Sequence, residues 1–301
     1  MKVLSIGECM VELSQVSPDD PTLLRSGFAG DTMNTAWYLA RLQPDWDIQY
    51  LTHVGKDRLS NRMVSFLASS GIGSDFVIHR DDGTLGMYLI EIDQHGERSF
   101  VYWRSQSAAR RLADEPTRLK SAMHQADVVY FSGITLAILP PASRINFIEA
   151  ISALDRERVK VVFDPNLRPR LWNSSDTLRK SVTEAANLAS IILPSFEDEA
   201  TIFGDANPAA TIARYRSAGA AEVVVKNGGD TIHAYASSGH FEHQPRSVSV
   251  TDSTAAGDSF NAGYLTARLS GADVLEALAS GARVSERVVQ SAGALVSLRS
   301  T

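Results

Sequence analysis

The second half of the chain, from residue 120 onwards, contains short apolar runs that alternate with segments of helical spacing. Each run is rich in β-branched residues, and the four runs cover residues 127–131, 159–163, 189–193 and 222–226. Strands that alternate with helices are typical of βαβ units, in which the strands lie parallel. The pattern predicts an α/β protein with a mainly parallel central sheet flanked by helices.

The N-terminal part adds one buried strand, one helix and three runs of a different kind. Lys2–Gly7 is a continuous apolar run, and a helix is predicted from Gly30 to about Leu42. The other runs alternate between apolar and polar residues and cover 12–17, 86–93 and 98–104. Turn residues fill 18–21, and Gln94–Glu97 is typical of a hairpin loop. The alternation indicates a second, half-exposed sheet.

Polar residues follow the predicted parallel strands where each strand ends. The segments are Ser132–Gly133, Asp164–Pro169, Ser195–Glu199 and Asn227–Asp230. In parallel sheets, ligands collect at the C-terminal ends of the strands. We therefore expect these segments to contribute to one binding site. No repeat, low-complexity tract or linker rich in Pro and Gly marks a domain boundary, so residues 1–301 are expected to form one domain.

The segment Asp252–Asp258 consists largely of small residues and leads into apolar positions at helical spacing, namely Phe260, Tyr264 and Ala267. Backbone N–H groups at a helix N-terminus lack intrahelical partners, and the helix dipole adds positive charge, so the segment suits an anion. The small residues 255–257 allow a phosphate to approach the backbone closely. Asp258 has two interpretations: a helix cap, or a general base that takes a proton from an attacking hydroxyl.

Composition excludes several classes of partner. The chain has 301 residues, of which 44% are hydrophobic and 21% charged, as in ordinary soluble proteins. Its net charge of −6 argues against nucleic acid as the main ligand. A single cysteine, Cys9, permits no internal disulfide, and no apolar stretch is long enough to span a membrane. The N-terminus turns acidic at Glu8, which is untypical of a signal peptide, so a cytoplasmic location is expected.

The segment Asp252–Asp258 resembles the signature D-T-x-G-A-G-D of the ribokinase-like (PfkB) sugar kinases. It departs from the signature at Ser253 and Ala255, where the family more often has Thr and Gly. The form Thr-Ala-Ala-Gly-Asp is similar to that of the 2-keto-3-deoxygluconate kinases within the family. The resemblance covers nearly the whole chain. It implies a ribokinase-like three-layer fold with a small β-sheet lid, built from about residues 10–28 and 84–106.

Further motifs carry the same resemblance. Residues 29–36 are similar to the sugar-binding motif G-G-x-x-N-x-A, with Ala29 in place of the first Gly, and 52–57 resemble a V-G-x-D turn. The resemblance places the alternating runs in a lid over the sugar. It implies that the substrate is bound by Gly30, Asp31, Asn34, Tyr88, Tyr102, Arg104, Arg168 and Asp258. Judged by spacing alone, the lid residues also fit a surface hairpin with an aromatic cross-strand pair and a solvated arginine.

The resemblance also implies an ATP site at the edge of the sheet. Its residues would be Asn166, Ser195, Lys226, Gly228, Gly229, Thr254, Ala255, Ala256 and Gly257. Without the resemblance, 227–229 is simply a turn and Lys226 a solvent-facing side chain. Ser195–Glu199 stands at the position of the family's N-x-x-E motif, with Ser195 for Asn and Asp198 for Glu.

Magnesium is the expected cofactor, and a monovalent cation is a further candidate. Mg²⁺ bridges nucleotide phosphates through few protein carboxylates. Asp198 or Glu199 would therefore act on metal-bound water, or would only favour a helix N-terminus.

The arginines indicate the class of substrate. A sugar acid needs a partner for its carboxylate, which Arg provides with paired donors, whereas a neutral sugar needs partners for its hydroxyls. Arg104 is the better evidence, because the N-L-R-x-x-L-W pattern around Arg168 is common in the family. We therefore expect ATP-dependent phosphorylation of 2-keto-3-deoxygluconate at its C6 hydroxyl, with Asp258 as general base and the amides of 255–257 as an anion hole.

Two alternatives remain open at this point. One is a fructokinase or another PfkB sugar kinase, and the other is a sugar-sensing protein on the same fold, which would be expected to lack Asp258. The chain has no G-x-x-x-x-G-K-[ST], H-E-x-x-H or G-x-S-x-G motif and no dinucleotide fingerprint after its first strand. Partners are therefore expected to be a sugar acid and ATP, with no nucleic acid and no membrane. Lids in the family often pair between subunits, so a homo-oligomer is expected.

Overall fold

The structure is a computed structural model that describes residues 1–17, 20–92 and 98–298. The strands are β1 (Lys2–Ile6), β2 (Met10–Ser17), β3 (Asp20–Ala29), β4 (Asp47–Gly55), β5 (Val77–Arg80), β6 (Met87–Ile92), β7 (Arg98–Trp103), β8 (Val128–Ser132), β9 (Lys160–Asp164), β10 (Ile191–Ile192), β11 (Glu222–Val225), β12 (Ile232–Ala236) and β13 (Gly239–His243). The α-helices are α1 (Asp31–Leu42), α2 (Arg58–Ser69), α3 (Pro116–His124), α4 (Gly133–Ile138), α5 (Pro141–Ser152), α6 (Ser175–Ala186), α7 (Phe196–Phe203), α8 (Pro208–Ser217), α9 (Ala256–Leu269) and α10 (Val274–Val288). Short 3₁₀ helices span Ala108–Arg111 and Pro169–Leu171.

A large sheet forms the centre of the molecule. Its strand order is β13-β12-β11-β10-β9-β8-β1-β4-β5. The strands from β11 to β5 pair in parallel, whereas β12 and β13 pair antiparallel at one edge. The C-terminal ends of the parallel strands therefore lie at the same edge of the sheet, where a ligand site is expected.

Helices cover both faces of this sheet, because successive side chains of a strand point to opposite faces. Val128 and Tyr130 of β8 pack into one apolar core with residues of α1, α9 and α10. Their neighbours Val129 and Phe131 pack into a second core with residues of α3, α5 and α6. Burial on both faces explains why β8 is a continuous apolar run. The result is the three-layer arrangement that the sequence predicts.

A second, smaller sheet has the order β3-β2-β6-β7. Its strands come from residues 10–29 and 87–103, and β6 pairs antiparallel with β7. The predicted fold class, a mainly parallel sheet flanked by helices with a small additional β-sheet, is confirmed. The predicted hairpin loop Gln94–Glu97 lies outside the described residues, as do Pro18 and Asp19 of the predicted turn.

Candidate active site

The loop 252–258 is held in place by the side chain of Asp252. Its Oδ1 accepts hydrogen bonds from the backbone N and the Oγ1 of Thr254, at 3.0 and 2.7 Å, and its Oδ2 accepts one from Gly293 N at 2.7 Å. Ala255 then adopts a left-handed backbone with φ 59° and ψ 18° and is the N-cap of α9. In the part of the chain that the structure describes, no side chain caps this helix, so the interpretation of Asp258 as a helix cap is wrong.

The start of α9 presents unused backbone donors. The N–H of Ala256 donates a hydrogen bond to Ser253 O at 3.1 Å. Within the described residues, the N–H groups of Ala255, Gly257 and Asp258 have no hydrogen-bond acceptor. Free N–H groups at a helix N-terminus bind anions, because the helix dipole adds to their partial positive charge. The donors available to an anion are thus those of residues 255, 257 and 258, whereas the sequence predicts 255–257.

Asp258 lies in the first turn of α9, and its carboxylate is half-buried. Its Oδ2 accepts a hydrogen bond from Asn34 Nδ2 of α1 at 2.8 Å, and its Oδ1 has no partner among the described residues. Burial raises the pKa of Asp258 to about 8, and the nearby negative charge of Asp31 contributes to the rise. The carboxyl group therefore holds its proton near neutral pH and keeps one oxygen for a ligand.

Asp31 and Asn166 form the neighbouring part of the site. Asn166 Nδ2 donates to Asp31 Oδ2 at 2.8 Å, and burial raises the pKa of Asp31. Asn166 follows β9 with a positive φ of 35°, which is unusual for a residue other than glycine. Gly30 precedes Asp31 where the chain passes very close to Glu8, because a Cβ at Gly30 would lie 2.1 Å from the backbone oxygen of Glu8. This close approach accounts for the glycine.

A buried polar network connects α9 to the central sheet. Lys226 Nζ donates to Asp164 Oδ2 at 3.3 Å and to Asn261 Oδ1 at 3.0 Å. Asn261 Nδ2 donates in turn to Asp164 Oδ2 at 2.7 Å and to Tyr130 Oη at 3.1 Å. Lys226 is thus buried and paired, which excludes its interpretation as a solvent-facing side chain. Asn261 is not among the residues predicted from the sequence, although it lies one helical turn after Asp258 and so on a neighbouring position of α9.

Arg104, at the end of β7, forms an ion pair with Glu8, which follows β1. This ion pair joins the small sheet to the central sheet. It is buried, because the Glu8 side chain is only 1% exposed. Tyr88 Oη donates to Glu12, and the Tyr88 and Tyr102 rings lie 5.7 Å apart. The predicted aromatic pair is therefore present, but Arg104 is not solvated. Its positive charge is already matched by Glu8, which the sequence analysis did not identify as a partner.

The two acids proposed for the metal lie in different surroundings. Arg168 Nη1 donates to Asp198 Oδ2 at 3.3 Å, and burial raises the pKa of Asp198. Glu199 is instead fully buried on the other side of α7 and accepts hydrogen bonds from Tyr215 and Arg214. The structure therefore disagrees with a role of Glu199 at the metal. Among the described residues there is no cluster of three or more metal-binding side chains.

Two cavities meet at the loop before α9. The larger has a volume of about 940 Å³ and the smaller about 690 Å³. Both are lined by Ser195, Lys226, Ser253, Ala256 and Gly257. The larger alone is lined by the predicted residues Gly30, Asp31, Asn34, Tyr88, Tyr102, Arg104, Asn166, Arg168, Asp198, Thr254, Ala255 and Asp258. The smaller alone is lined by Gly228 and Gly229. Of all the predicted site residues, Glu199 alone lines neither cavity.

This arrangement suits the transfer of a group between two ligands. The larger cavity holds the carboxylates and the aromatic side chains, and the smaller lies against the turn at 227–230 and the helix α10. Among the described residues with a free N–H group at this helix start, Gly257 lines both cavities, whereas Ala255 and Asp258 line the larger cavity next to it. An anion bound at this junction would be within reach of ligands in both.

Comparisons with known proteins agree with this geometry. The sequence profile described as "pfkB family carbohydrate kinase" matches residues 1–301. The chain is 37% identical over 301 residues to the 2-dehydro-3-deoxygluconokinase of Dickeya dadantii, covering 97% of this chain and 96% of the relative. It is 36% identical over 303 residues to the enzyme of the same name from Haemophilus influenzae, covering 98% and 95%.

A solved structure shows the same fold. It is a putative ribokinase II from E. coli in complex with ATP and Mg²⁺, with a TM-score of 0.84 and 21% identity. The match covers 98% of this chain and 94% of that one.

Proposed function

Because the chain belongs to the pfkB family of carbohydrate kinases, we propose that it transfers the γ-phosphate of ATP to the C6 hydroxyl of 2-keto-3-deoxygluconate. The observation that carries the proposal is Asp258, which lines the larger cavity next to the loop that both cavities share, and whose Oδ1 has no partner among the described residues. The relatives named 2-dehydro-3-deoxygluconokinase, at 36% and 37% identity over nearly the whole chain, support the choice of substrate.

In this proposal the sugar acid occupies the larger cavity and ATP the smaller one. Asp258 Oδ1 accepts the proton of the C6 hydroxyl, and the hydroxyl oxygen forms a bond to the γ-phosphorus. The bond from that phosphorus to the bridging oxygen of ADP breaks at the same time. The free N–H groups of residues 255, 257 and 258 stabilise the charge of the phosphoryl group during transfer. Asn34 holds the carboxylate of Asp258 in position.

Magnesium would be held mainly by the phosphates of the nucleotide. The site fits this arrangement, because Asp198 lies at the larger cavity and no cluster of three metal-binding side chains occurs among the described residues. When bound, the ion neutralises phosphate charge. Asp198 would contribute through water, and its pairing with Arg168 orients the carboxylate.

A coupled assay of ADP release tests the proposal. It compares 2-keto-3-deoxygluconate, gluconate, fructose and ribose at equal concentration with Mg-ATP, with a sugar-free reaction as control. We expect clear preference for the keto-deoxy acid. Preferred turnover of fructose or ribose would identify another PfkB sugar kinase, and turnover of none, with retained binding, would favour the sugar-sensing alternative.

A homo-oligomer remains part of the proposal. The surface of the small sheet that faces away from the cavity exposes apolar side chains, among them Val101 and Trp103 of β7. Paired small sheets of two subunits would cover these side chains. Light scattering that finds a strict monomer would remove this part. A cytoplasmic location and a monovalent cation stay predictions, and among the described helices none has the length and apolar character to cross a membrane.

A further inference from the structure

The ammonium group of Lys226 keeps one of its hydrogen-bond donors unused. A lysine ammonium carries three N–H donors. Lys226 Nζ donates to Asp164 Oδ2 at 3.3 Å and to Asn261 Oδ1 at 3.0 Å. Among the described residues, no acceptor takes the third N–H. Lys226 is buried, yet it lines both cavities, so the third donor is available to a ligand bound between them.

This ammonium group lies against the loop that begins α9. A Cβ placed at Gly257 would be 3.5 Å from Lys226 Nζ. Gly257 also lines both cavities, and its N–H has no acceptor within the described part of the chain. A phosphoryl group bound to this N–H would therefore lie close to a fixed positive charge. Fixed charges and donors of this kind stabilise the charge that develops during phosphoryl transfer.

Asn261 determines where the ammonium group is held. Its Nδ2 donates to Asp164 Oδ2 at 2.7 Å and to Tyr130 Oη at 3.1 Å, which uses both of its N–H groups. The amide orientation is thereby set, and Oδ1 is left as the acceptor for Lys226. A flipped amide would bring its N–H donors against the ammonium group. Asn261 is fully buried and is not among the residues that line either cavity.

The charge of Lys226 also acts on Asp258. The titratable groups around Asp258 are Asp31 and Tyr38 of α1, Tyr130 of β8, Asp164 of β9 and Lys226 after β11. Burial raises the pKa of Asp258, and so do the charges of Asp31 and Asp164. The hydrogen bond from Asn34 lowers this pKa, and so does the charge of Lys226. Loss or displacement of the cation should therefore change the pH dependence of the reaction.

We propose that Asn261 is a positioning residue for phosphoryl transfer. It holds the ammonium group of Lys226 beside Gly257, and the third N–H of Lys226 donates to an oxygen of the transferred phosphoryl group. The inference rests on the proposed function. Lys226 gives up no proton, since its charge and its hydrogen bond only stabilise the phosphoryl group while one oxygen–phosphorus bond forms and the other breaks. Asn261 acts through Lys226, because it touches neither cavity.

The test is a double-mutant cycle between Lys226→Met and Asn261→Leu, two substitutions that keep most of the side-chain size. Lys226→Met should lower kcat about 10²- to 10³-fold, the usual effect of removing a donor to a transition-state oxyanion. Asn261→Leu should lower kcat about 10-fold, because the cation stays but loses a hydrogen bond that holds it. In the Lys226→Met background, Asn261→Leu should change kcat by less than about twofold.

Initial rates across about pH 5–10 give a readout that a merely structural role would not move. The pH at which kcat/KM levels off should rise in Lys226→Met and rise less in Asn261→Leu. The matched control is Tyr264→Phe, one turn further along α9, which removes a buried hydrogen bond from Tyr264 Oη to Glu222 Oε1 at 2.7 Å. It should lower stability in urea and leave kcat and the pH profile unchanged.

An equal fall in kcat from Asn261→Leu in both backgrounds would overturn the inference, because Asn261 would then act independently of Lys226. Normal kcat or an unshifted pH profile in Lys226→Met would also overturn it, even if Asn261→Leu did not fold. Preference of the wild-type protein for a neutral sugar would contradict the proposed substrate alone, since the cycle can be measured with that sugar. Turnover of no sugar would contradict both proposals.

Discussion

Two groups of acidic side chains in this molecule each contain a carboxyl group with a raised pKa, but the groups differ in their hydrogen-bond partners and in the backbone around them. Asp258 lies with Asp31 at the cavities, whereas Glu199 lies with Asp205 between α7 and α8. Burial raises the pKa of Asp258 to about 8 and that of Glu199 to about 7. A raised pKa is often taken as a sign of an active site. Here it occurs in both groups, so it does not distinguish them.

The partners of the carboxylates do distinguish them. Glu199 Oε1 accepts from Tyr215 Oη at 2.9 Å and Oε2 from Arg214 Nη2 at 2.6 Å, and Arg214 also pairs with Asp205. Both oxygens of Glu199 are therefore used. Among the described residues, Asp258 has one amide partner, and its other carboxylate oxygen has none.

The backbone adds a second difference. In the described part of the chain, the non-glycine residues with positive φ are Asn166 and Ala255, and both line the larger cavity. Such conformations cost free energy and tend to occur at functional sites. From the unused bonding capacity and the strained backbone we propose that the Asp258 group is the catalytic site, and from its complete pairing that the Glu199 group is structural.

The largest effect is expected from Asp258→Asn, which keeps the shape of the side chain and removes its ability to accept a proton. We expect kcat to fall about 10²- to 10⁴-fold, the usual contribution of a general base. ATP binding, measured by calorimetry, should be retained. Glu199→Gln is the matched control, since it makes the same change in the other group and should leave kcat within about twofold. Near-normal turnover of Asp258→Asn would rule out its role as base.

The next largest effect is a loss of stability, which we expect when the Glu199 group is disrupted. Arg214→Ala removes the cation between Glu199 and Asp205 and leaves two carboxylates with little compensation. Breaking a buried ion pair costs about 3–5 kcal/mol, and we expect a loss near the lower limit because Arg214 is 27% exposed. Urea denaturation measures the loss, and Arg62→Ala on the surface of α2 is the control. A loss of kcat in the folded variant, without loss of stability, would mean that this group is not merely structural.

The sequence was sufficient for part of this comparison. The alternation of apolar runs and helical segments predicts the parallel sheet, and the small residues before Phe260 predict the loop and the helix α9. The sequence pattern did not indicate which of Asp198 and Glu199 faces the cavity and could act at the metal. Successive residues of a helix point about 100° apart, so one faces the cavity and the other the core, and the sequence alone does not show which.

Contacts between distant parts of the chain were also hidden. Glu8 and Arg104 are separated by 96 positions, and Asp164 and Asn261 by 97. Each residue looks ordinary in its own segment, and only the fold brings the partners together. The strands β12 and β13 were missed for a local reason. They lie at the edge of the sheet, and β13 in particular is only partly buried, so neither shows the continuous apolar run of a central strand.

The pH dependence separates the two groups within one molecule. In each group the acid has a folded pKa above its ordinary value, 3.8 for Asp258 and 4.5 for Glu199. The folded state then binds more protons than the unfolded state between the ordinary and the raised pKa. Stability is therefore greatest below this window and falls as the pH rises through it. For Asp258 the window extends to about pH 8, and for Glu199 to about pH 7.

Activity should respond to one of these titrations and not to the other. A general base works only when deprotonated, so kcat/KM should rise with pH, at most tenfold per unit, until it levels near the pKa of Asp258 at about 8. Glu199→Gln should flatten the fall in stability up to about pH 7 and leave this activity profile unchanged. Urea denaturation and initial rates across pH 5–9 measure both. If Glu199→Gln instead shifted the activity profile, the two groups would be coupled, and the division between a catalytic and a structural group would fail.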